Sequence, residues 1–561
     1  MRAIPNAHQQ VPMMFRAQAT GRCQLQRIIK GEESDSVRWA NEWTSRVKTS
    51  TTSATSQLVQ ARDFQISWRL LTNSGLDDSV ILPVIGAQGL PYFPGSSMKG
   101  LFRRACNATQ AERYCGKPLP NNDWQPGILR FHGAYPIDDN WTHHLVDIVH
   151  PQQSWQVKSN NKEGGAFVQI SLYKPTLRFK LSSTETLNDE EWGTVWEIWQ
   201  TAIAKGIGSR VSAGYGQTPN KSITVLHKAT LKGQGQAPKL IDQSGEFRPN
   251  MFRASLRGHA VRIFGGLTTE QQAEQLVQDL FGGIQGREGT VGLIGMQFQD
   301  FSLEIDSYGK GSYAQPCYEV EGSLTWYLVR PLNDPDHEKA LKKLVANLMQ
   351  FAMLLGGFGK SWRRADHRLF FDEYYDQGYK ALIGCHWQWL GDNTLRRNTK
   401  VPNTQRVGHV IDQICSAAEE WMTLRGVTPQ PQNWAHSWRE SWHPQNVKVF
   451  GRMADGQNDS IAIRWFHGPY QPAIDKLQSE AAIYKTHLVG RVSQVGRIWH
   501  RMYPVTLLKK DPNDPKKRIV KPTPRYLELL IIFPDSSQEC CDFLEFLNTN
   551  PEGFEQLWGD K

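Results

Sequence analysis

The sequence predicts an α+β fold built from tandem ferredoxin-like modules. Strands with alternating apolar residues are interleaved with single amphipathic helices, and no long βα series occurs. The plan of strand, loop and helix also occurs twice, each time ending in a basic glycine-rich loop. Such a repeat indicates an internal duplication of two divergent copies.

Length and composition limit the function classes. The chain has 561 residues, of which 39% are hydrophobic, and a formal net charge of +9. We expect no membrane partner, because no apolar run approaches the roughly 20 residues that span a bilayer. The N-terminus lacks the apolar core of a signal peptide, so a cytoplasmic protein is expected. The basic charge is compatible with a polyanionic partner, and the cysteines show no zinc-ligand spacing.

The first copy opens with an alternating strand at residues 64–70. The segment LPYFPGSSMKGLFRRAC then predicts a helix capped by Ser96 or Ser97. Basic residues lie in its first turns: Lys99, Arg103 and Arg104. A second helix, LNDEEWGTVWEIWQTAIAKG, carries tryptophans at helical spacing, which we interpret as core. It leads into GIGSRVSAGYG, a glycine-rich loop over residues 206–216.

The second copy repeats this order. FRPNMFRASLRGHAVRIFGG matches the Ser-x-Lys-Gly-x-x-Arg stretch of the first copy, and a later helix ends in GGFGKSWRRADHR. The division predicted from these patterns is 1–220 for the first domain with an N-terminal extension, 221–375 for the second, divergent domain, and 376–561 for a mixed α/β C-terminal region. That last region is interpreted as a further, partial ferredoxin-like module.

The glycine-rich loops are not nucleotide-hydrolysis motifs. Leu354 stands where the P-loop pattern GxxxxGK[ST] requires glycine, and the helix precedes the loop instead of following it. Phosphate contact is the better interpretation, because glycines expose backbone N–H groups and Lys205, Arg210, Lys360 and neighbouring arginines supply charge. The alternative is that the glycines only terminate helices. Two loops at matching positions favour RNA.

PYFPGSSMKGLFRR, followed by a helix and GIGSRVSAGYG, resembles the RAMP superfamily, the RNA-binding backbone subunits of type III CRISPR effector complexes. FHGAYPIDDNWTHHLVDIVHP is similar to the branch formed by the sixth subunit of Cmr-type complexes. The resemblance covers residues 62–217 and, more weakly, residues 222–370. The second copy departs from it, with RASLRG in place of PGSSMKG.

The resemblance implies a tandem RAMP subunit that lies along a CRISPR RNA inside a ribonucleoprotein. Its partners would be the CRISPR RNA, the complementary target RNA and other subunits of the complex. The implied phosphate contacts of the first copy are Ser96, Ser97, Lys99, Arg103, Arg104, Lys205, Gly206, Gly208, Arg210 and Gly214. By internal symmetry, those of the second copy are Arg253, Arg257, Gly357, Lys360, Arg363 and Arg364.

The resemblance also bears on catalysis. In many RAMP backbone subunits an acidic residue ahead of PGSS-x-KG promotes metal-dependent cleavage of the target RNA, and Asp77 and Asp78 occupy that loop here. A carboxylate can hold a divalent ion or help to deprotonate a ribose 2′-hydroxyl. The implied cofactors are Mg²⁺ or Mn²⁺, with none tightly bound. The family's acid usually stands two residues before a proline, where this chain has Ile81, and the sixth-subunit branch generally does not cut.

Two alternatives stay open at the sequence level. The chain could be a stand-alone ribonuclease that processes CRISPR RNA with a histidine as general acid or base, for which the candidates are His132, His143, His144 and His150. It could also be a purely architectural subunit. The guide register, the flanking subunits and the role of residues 376–561 do not follow from the sequence.

Overall fold

The computed structural model divides the chain into two compact units. Unit 1 comprises Met1–Pro151, Gly165–Thr224 and Leu240–Asp242, and unit 2 comprises Gln152–Gly164, Val225–Lys239 and Gln243–Lys561. The structure describes residues 11–17, 20–47, 58–73, 75, 80–86, 89–120, 123–149, 153–159, 166–219, 223–285, 288–371, 381–471, 480–490, 494–512, 514 and 518–560. Both units contain helices and sheets, so the predicted α+β class is confirmed.

The elements are numbered in chain order. The helices are α1 (Met13–Arg16), α2 (Gly21–Ile29), α3 (Asp35–Arg46), α4 (Gly95–Ala105), α5 (Ala108–Gln110), α6 (Gln153–Lys158), α7 (Asp189–Ile203), α8 (Asn250–Leu267), α9 (Glu270–Phe281), α10 (Pro335–Leu354), α11 (Asp392–Leu395), α12 (Gln405–Leu424), α13 (Ala462–His467) and α14 (Gln538–Asn548). The strands are β1 (Val59–Gln65), β2 (Arg69–Leu70), β3 (Val80–Ile81), β4 (Gly116–Pro118), β5 (Trp124–Pro126), β6 (Leu129–Pro136), β7 (Val146–Val149), β8 (Phe167–Ile170), β9 (Leu172–Tyr173), β10 (Thr176–Ser183), β11 (Val225–Gln236), β12 (Gly283–Gln285), β13 (Glu288–Thr290), β14 (Ile294–Tyr308), β15 (Gln315–Leu328), β16 (Cys385–Leu390), β17 (Lys448–Ala454), β18 (Ile498–Lys510), β19 (Arg518–Ile532) and β20 (Glu555–Trp558).

The main sheet of unit 1 is antiparallel, in the order β1-β10-β6. Helix α7 covers it with the predicted tryptophan stripe: Trp192, Trp196 and Trp199 are at most 2% exposed. The Trp199 ring lies 4.8 Å from the Phe179 ring of β10. The helix starts at Asn188, whose side chain accepts a hydrogen bond from the Glu191 backbone N–H. The interpretation of this stripe as core is therefore confirmed.

Unit 2 contains two four-stranded antiparallel sheets with the same strand order. The first runs β14-β15-β11-β16, and the second runs β18-β19-β17-β20. When the four strands of each sheet are numbered in chain order, their order across the sheet is 2-3-1-4. Helices join the first strand to the second and the third to the fourth: α8 to α10 in the first sheet, and α13 and α14 in the second.

One apolar core joins the two sheets of unit 2. It contains Trp326 of β15 and Leu529 of β19 together with the buried face of α10, where Leu341, Leu344 and Leu348 are 0% exposed. Unit 2 thus holds residues of both later predicted domains, and the three-part division 1–220, 221–375 and 376–561 stays a prediction. Among the described residues, none of the helices is long and apolar enough to cross a bilayer.

Candidate nucleic-acid interface

Helix α4 begins one residue ahead of the predicted serine caps. Pro94 is its N-cap residue, so Ser96 and Ser97 lie within the first turn, and the prediction that either serine caps the helix is wrong. The physical reason is a close approach of two main chains. A Cβ on Gly95 would lie 2.0 Å from the Phe131 carbonyl oxygen of β6. Only glycine fits there, and it fixes the start of the helix against the sheet.

One face of α4 is exposed, whereas Met98 and Phe102 on the opposite face are 0% exposed. The exposed residues, called the α4 stripe below, are Ser96, Ser97, Gly100 and Arg104. A Cβ on Gly100 would meet no atom within 4 Å. The stripe therefore combines two hydroxyl groups, a guanidinium and a stretch of uncovered main chain, all of which can contact a phosphate backbone.

Lys99 and Arg103 flank the stripe and are half-buried. The Arg103 Nη1 donates a hydrogen bond of 2.7 Å to the Gly116 carbonyl oxygen. Its guanidinium also lies 5.1 Å from the centre of the Trp124 ring. The Arg103 side chain is thus bonded within the protein. Among Lys99, Arg103 and Arg104, Arg104 is the most exposed.

The glycine-rich loop after α7 packs against the residues that follow β2. Gly208 has a φ of +79°, and a Cβ there would lie 2.1 Å from the Leu71 carbonyl oxygen. The Ser209 N–H donates to that same carbonyl at 2.8 Å. Gly206 and Gly214 are buried, with φ angles of +93° and +94°, while Gly208 is exposed. The close packing of this loop therefore requires these glycines, whether or not the loop also contacts phosphate.

The two predicted cations of this loop differ. Lys205 is exposed at the end of α7. Arg210 has a φ of +55°, donates from Nη1 to the Gln169 Oε1 at 3.0 Å, and lies 4.9 Å from the Phe167 ring centre. Burial lowers the pKa of Arg210. Lys205 is therefore more exposed to solvent than Arg210.

Helix α4 packs against both α7 and strand β6. Arg113, just after α5, donates from Nε to Glu191 in the first turn of α7 at 2.7 Å. Beyond the loop, the Ser67 N–H donates to the Gln217 carbonyl at 2.8 Å, next to the end of β1. PGSSMKG at the start of α4 and GIGSRVSAGYG after α7 thus belong to two helices that pack on each other.

The matching helix of the second copy is buried where α4 is exposed. Ser255 and Gly258 of α8 occupy the places of Ser97 and Gly100, and both are buried. Arg253 donates to the Phe281 carbonyl and lies 5.8 Å from the centre of that ring. Arg257 is half-buried, and burial lowers its pKa. Contact of these two arginines with RNA stays a prediction.

The second glycine-rich loop, after α10, is largely packed. Gly357 is buried, and Lys360 is exposed. Arg364 is 8% exposed, donates from Nη2 to the Val489 carbonyl at 2.6 Å, and also donates to the Ile498 carbonyl. Burial lowers its pKa to about 9. Lys360 is the predicted contact of this loop that remains on the surface.

Sequence reasoning missed a buried ion cluster beside this loop, consisting of Arg262, Arg363, Arg439 and Glu440 and called the Glu440 cluster below. Arg262 Nε and Arg363 Nη2 each donate to the Glu440 carboxylate at 2.9 Å, and Arg439 Nη2 donates to it at 2.6 Å. Burial alone would raise the pKa of Glu440, but the charges of the three arginines outweigh burial and lower it to about 2. No spacing in the sequence signals this cluster, because Arg262 and Glu440 are 178 residues apart.

The structure describes only some of the residues that were predicted to be catalytic. Asp77, Asp78 and His150 lie outside the described residues. His132 is bonded to Ser182 Oγ at 2.8 Å, and His144 lies 3.4 Å from an Asp242 carboxylate oxygen. Among the described residues, the structure shows no group of three or more His, Cys, Asp or Glu side chains placed to hold a metal ion.

Comparison with known proteins gives one family match. Residues 78–218 match the model of the RAMP superfamily. Similar solved chains include one from the type III-B Cmr-beta complex bound to cognate target RNA, with 21% identity, a TM-score of 0.23 and coverage of 29% of this chain and 58% of that chain. Another, from a type IV-B CRISPR complex, has 17% identity and a TM-score of 0.21, and the match covers 29% of this chain and 88% of that one. No curated protein sequence matches. The α4 stripe and the glycine-rich loop at residues 206–216 both lie within the residues that the RAMP superfamily model matches.

Proposed function

We propose that this chain is a CRISPR RNA-binding backbone subunit of a type III CRISPR effector complex, and that it positions the guide against target RNA. The observation that carries the proposal is the exposed α4 stripe on a helix packed against α7, which leads into the glycine-rich loop at residues 206–216. The match of residues 78–218 to the RAMP superfamily model supports it.

The α4 stripe is suited to binding single-stranded RNA independently of the RNA sequence. Hydroxyl groups, main chain and a guanidinium contact phosphate and sugar, which are the same for every base. Gly100 lets a polymer backbone approach the helix closely, since no side chain covers that position. Lys99 and Lys205 add charge beside this surface.

We further propose that the sheets are ferredoxin-like modules. In unit 2 both sheets alternate strand, helix, two strands, helix and strand, with all neighbours antiparallel. The order β1-β10-β6 in unit 1 repeats three of the four places in that arrangement. The second copy would hold RNA through Lys360 more than through Arg363 or Arg364, whose guanidinium groups are bonded within the chain.

Cleavage of target RNA by this subunit is a separate proposal. Asp77 and Asp78 would be the acidic residues, and a bound Mg²⁺ or Mn²⁺ would supply charge neutralisation at the scissile phosphate. The assembled complex carrying Asp77→Ala and Asp78→Ala, given a complementary RNA and Mg²⁺, should lose one product band while target binding persists. An unchanged cleavage pattern would assign this loop a scaffold role.

The RNA-binding proposal is tested by charge reversal within the assembled complex. The double variant Lys99→Glu, Arg104→Glu should retain at most about one tenth of the guide RNA per copy of the chain, because two attractive contacts become repulsive. The matched control is Arg22→Glu, Lys30→Glu, which changes the charge equally at exposed positions of unit 1 outside α4. Equal guide retention in both variants would refute the placement of the RNA.

A further inference from the structure

Unit 2 contains a cavity of about 580 Å³ beside the second glycine-rich loop. Its polar lining includes Lys360, Arg363, Arg364, His367, His467 and Gln494. Among the described lining residues there is no Asp or Glu. Apolar side chains, among them Ile383 and Phe466, cover another part of the wall. Its volume is in the range of sites for small organic ligands, roughly 300–1,000 Å³.

Guanidinium groups outnumber carboxylates in the cluster behind this wall. The Glu440 cluster has three guanidinium groups and a single carboxylate, all buried or nearly so. Arg363 both lines the cavity and bonds to Glu440, so the cavity opens onto this excess of positive charge. Burial lowers the pKa of Arg363 to about 10, because a charged group loses hydration there.

Two buried donors of the cluster are also unused. The Nε of Arg363 and the Nη1 of Arg262 have no hydrogen-bond partner among the described residues. A buried cation without full compensation is costly, and a buried donor without an acceptor adds to that cost. Arg262 does not line the cavity and protein atoms cover both donors, so an anion in the cavity would supply negative charge beside Arg363 without accepting from these two donors.

His367 and His467 add hydrogen-bonding groups to the wall of the cavity. Their Nε2 atoms lie 3.2 Å apart, and His367 Nδ1 lies 3.2 Å from the Ala365 carbonyl oxygen, to which it donates. Burial lowers the pKa of His367 to about 3, so it is neutral at pH 7. The lysine and arginine residues that line the cavity are Lys360, Arg363 and Arg364.

We propose that this cavity binds a nucleotide through its phosphate group. A phosphate would place negative charge beside Lys360, Arg363 and Arg364, and the apolar wall and the volume accommodate a base and ribose in addition. The site lies in unit 2, and this proposal requires no RNA on the α4 stripe. The same chemistry would arise from a free mononucleotide or from a phosphorylated end of an RNA chain.

The test uses the purified full-length chain and three probes: adenosine 5′-monophosphate, adenosine and inorganic phosphate. In isothermal titration calorimetry, the monophosphate should bind at least tenfold more tightly than adenosine or phosphate. Two variants change charge at exposed lining positions without touching the buried cluster: Lys360→Glu and Gln494→Glu. Each should weaken binding of the monophosphate at least fivefold. The control Lys228→Glu, at an exposed position of β11, should leave it unchanged.

Equal affinity for the monophosphate and adenosine, absence of monophosphate binding, or variants that match the control would overturn the proposal. Competition by RNA oligonucleotides with and without a terminal phosphate identifies the source. If the phosphorylated oligonucleotide alone displaces the monophosphate, the ligand is an RNA end; if neither does, it is a free nucleotide. The α4 variants Lys99→Glu, Arg104→Glu should bind the monophosphate normally, so failure of the RNA proposal and failure of this one are distinguishable.

Discussion

The Ser209 hydroxyl donates a hydrogen bond of 2.8 Å to the Asn73 carbonyl oxygen, which joins the glycine-rich loop of unit 1 to the residues that follow β2. The Ser209 N–H makes a second bond, to the Leu71 carbonyl. The loop is therefore held in one conformation by the chain itself. Its glycines serve this packing, and any RNA contact would use a loop that is already formed.

Gly208→Ala should destabilise unit 1 by more than about 2 kcal/mol. The variant combines an unfavourable φ of +79° with a Cβ 2.1 Å from the Leu71 carbonyl oxygen. Urea unfolding followed by tryptophan fluorescence measures the shift. Gly31→Ala is the matched control, because its φ is +76° but a Cβ there meets no atom within 4 Å. Equal losses in the two variants would show that no clash exists at Gly208.

Gly100→Ala should separate RNA binding from stability. Replacing an exposed helical glycine by alanine should stabilise α4 by about 0.5–1 kcal/mol. RNA affinity should nevertheless fall, because a methyl group would separate the polymer from the helix. Gly193→Ala in α7 is the control, since a Cβ there also meets no atom within 4 Å. It should give the same gain in stability with unchanged RNA affinity, and a normal affinity of Gly100→Ala would contradict close approach at α4.

Arg103→Ala and Arg104→Ala should have opposite profiles. Arg103→Ala removes a hydrogen bond and a contact with Trp124, so the free energy of unfolding should fall by about 1–2 kcal/mol. Arg104 is exposed, and its removal should change stability by less than about 0.5 kcal/mol while RNA affinity falls. Thermal melting and RNA binding, measured on both variants, distinguish the two roles. A reversed pattern would assign Arg103 to the RNA instead.

Glu440 should make the stability of unit 2 depend on pH. Its pKa is about 2 in the folded chain against an ordinary value of 4.5, so its contribution is present above pH 4.5 and is lost as the pH falls from 4.5 towards 2. Glu440→Gln should destabilise unit 2 by about 3–5 kcal/mol at pH 7, because three buried arginines lose their counter-charge. The difference in stability between wild type and variant should shrink between pH 4.5 and 2.5. A difference that is constant with pH would contradict the ion cluster.

Local patterns in the sequence predicted the elements better than the sites. Ser537, the serine directly ahead of α14, caps this helix by accepting from the Cys540 N–H, and β18 and β19, which follow each other in the sequence, pair as a hairpin from Lys510 and Arg518. These features depend on neighbouring residues, which a sequence displays. The exposure of a side chain does not depend on its sequence neighbours alone. Ser97 and Ser255 occupy the same motif position, although only Ser97 is exposed. Close approaches between distant segments are also not visible in the sequence. The carbonyl that excludes a side chain at Gly95 belongs to Phe131, on β6.

The salt dependence of RNA binding by the purified chain tests the central claim most directly. For single-stranded RNA, each phosphate contact contributes about −0.7 to the slope of log K against log salt concentration. Lys99→Glu, Arg104→Glu should therefore make the slope shallower by at least about 1.4, whereas Arg22→Glu, Lys30→Glu should leave it as in wild type. A slope that is unchanged in the first variant, or changed equally in both, would contradict the placement of RNA phosphates on α4.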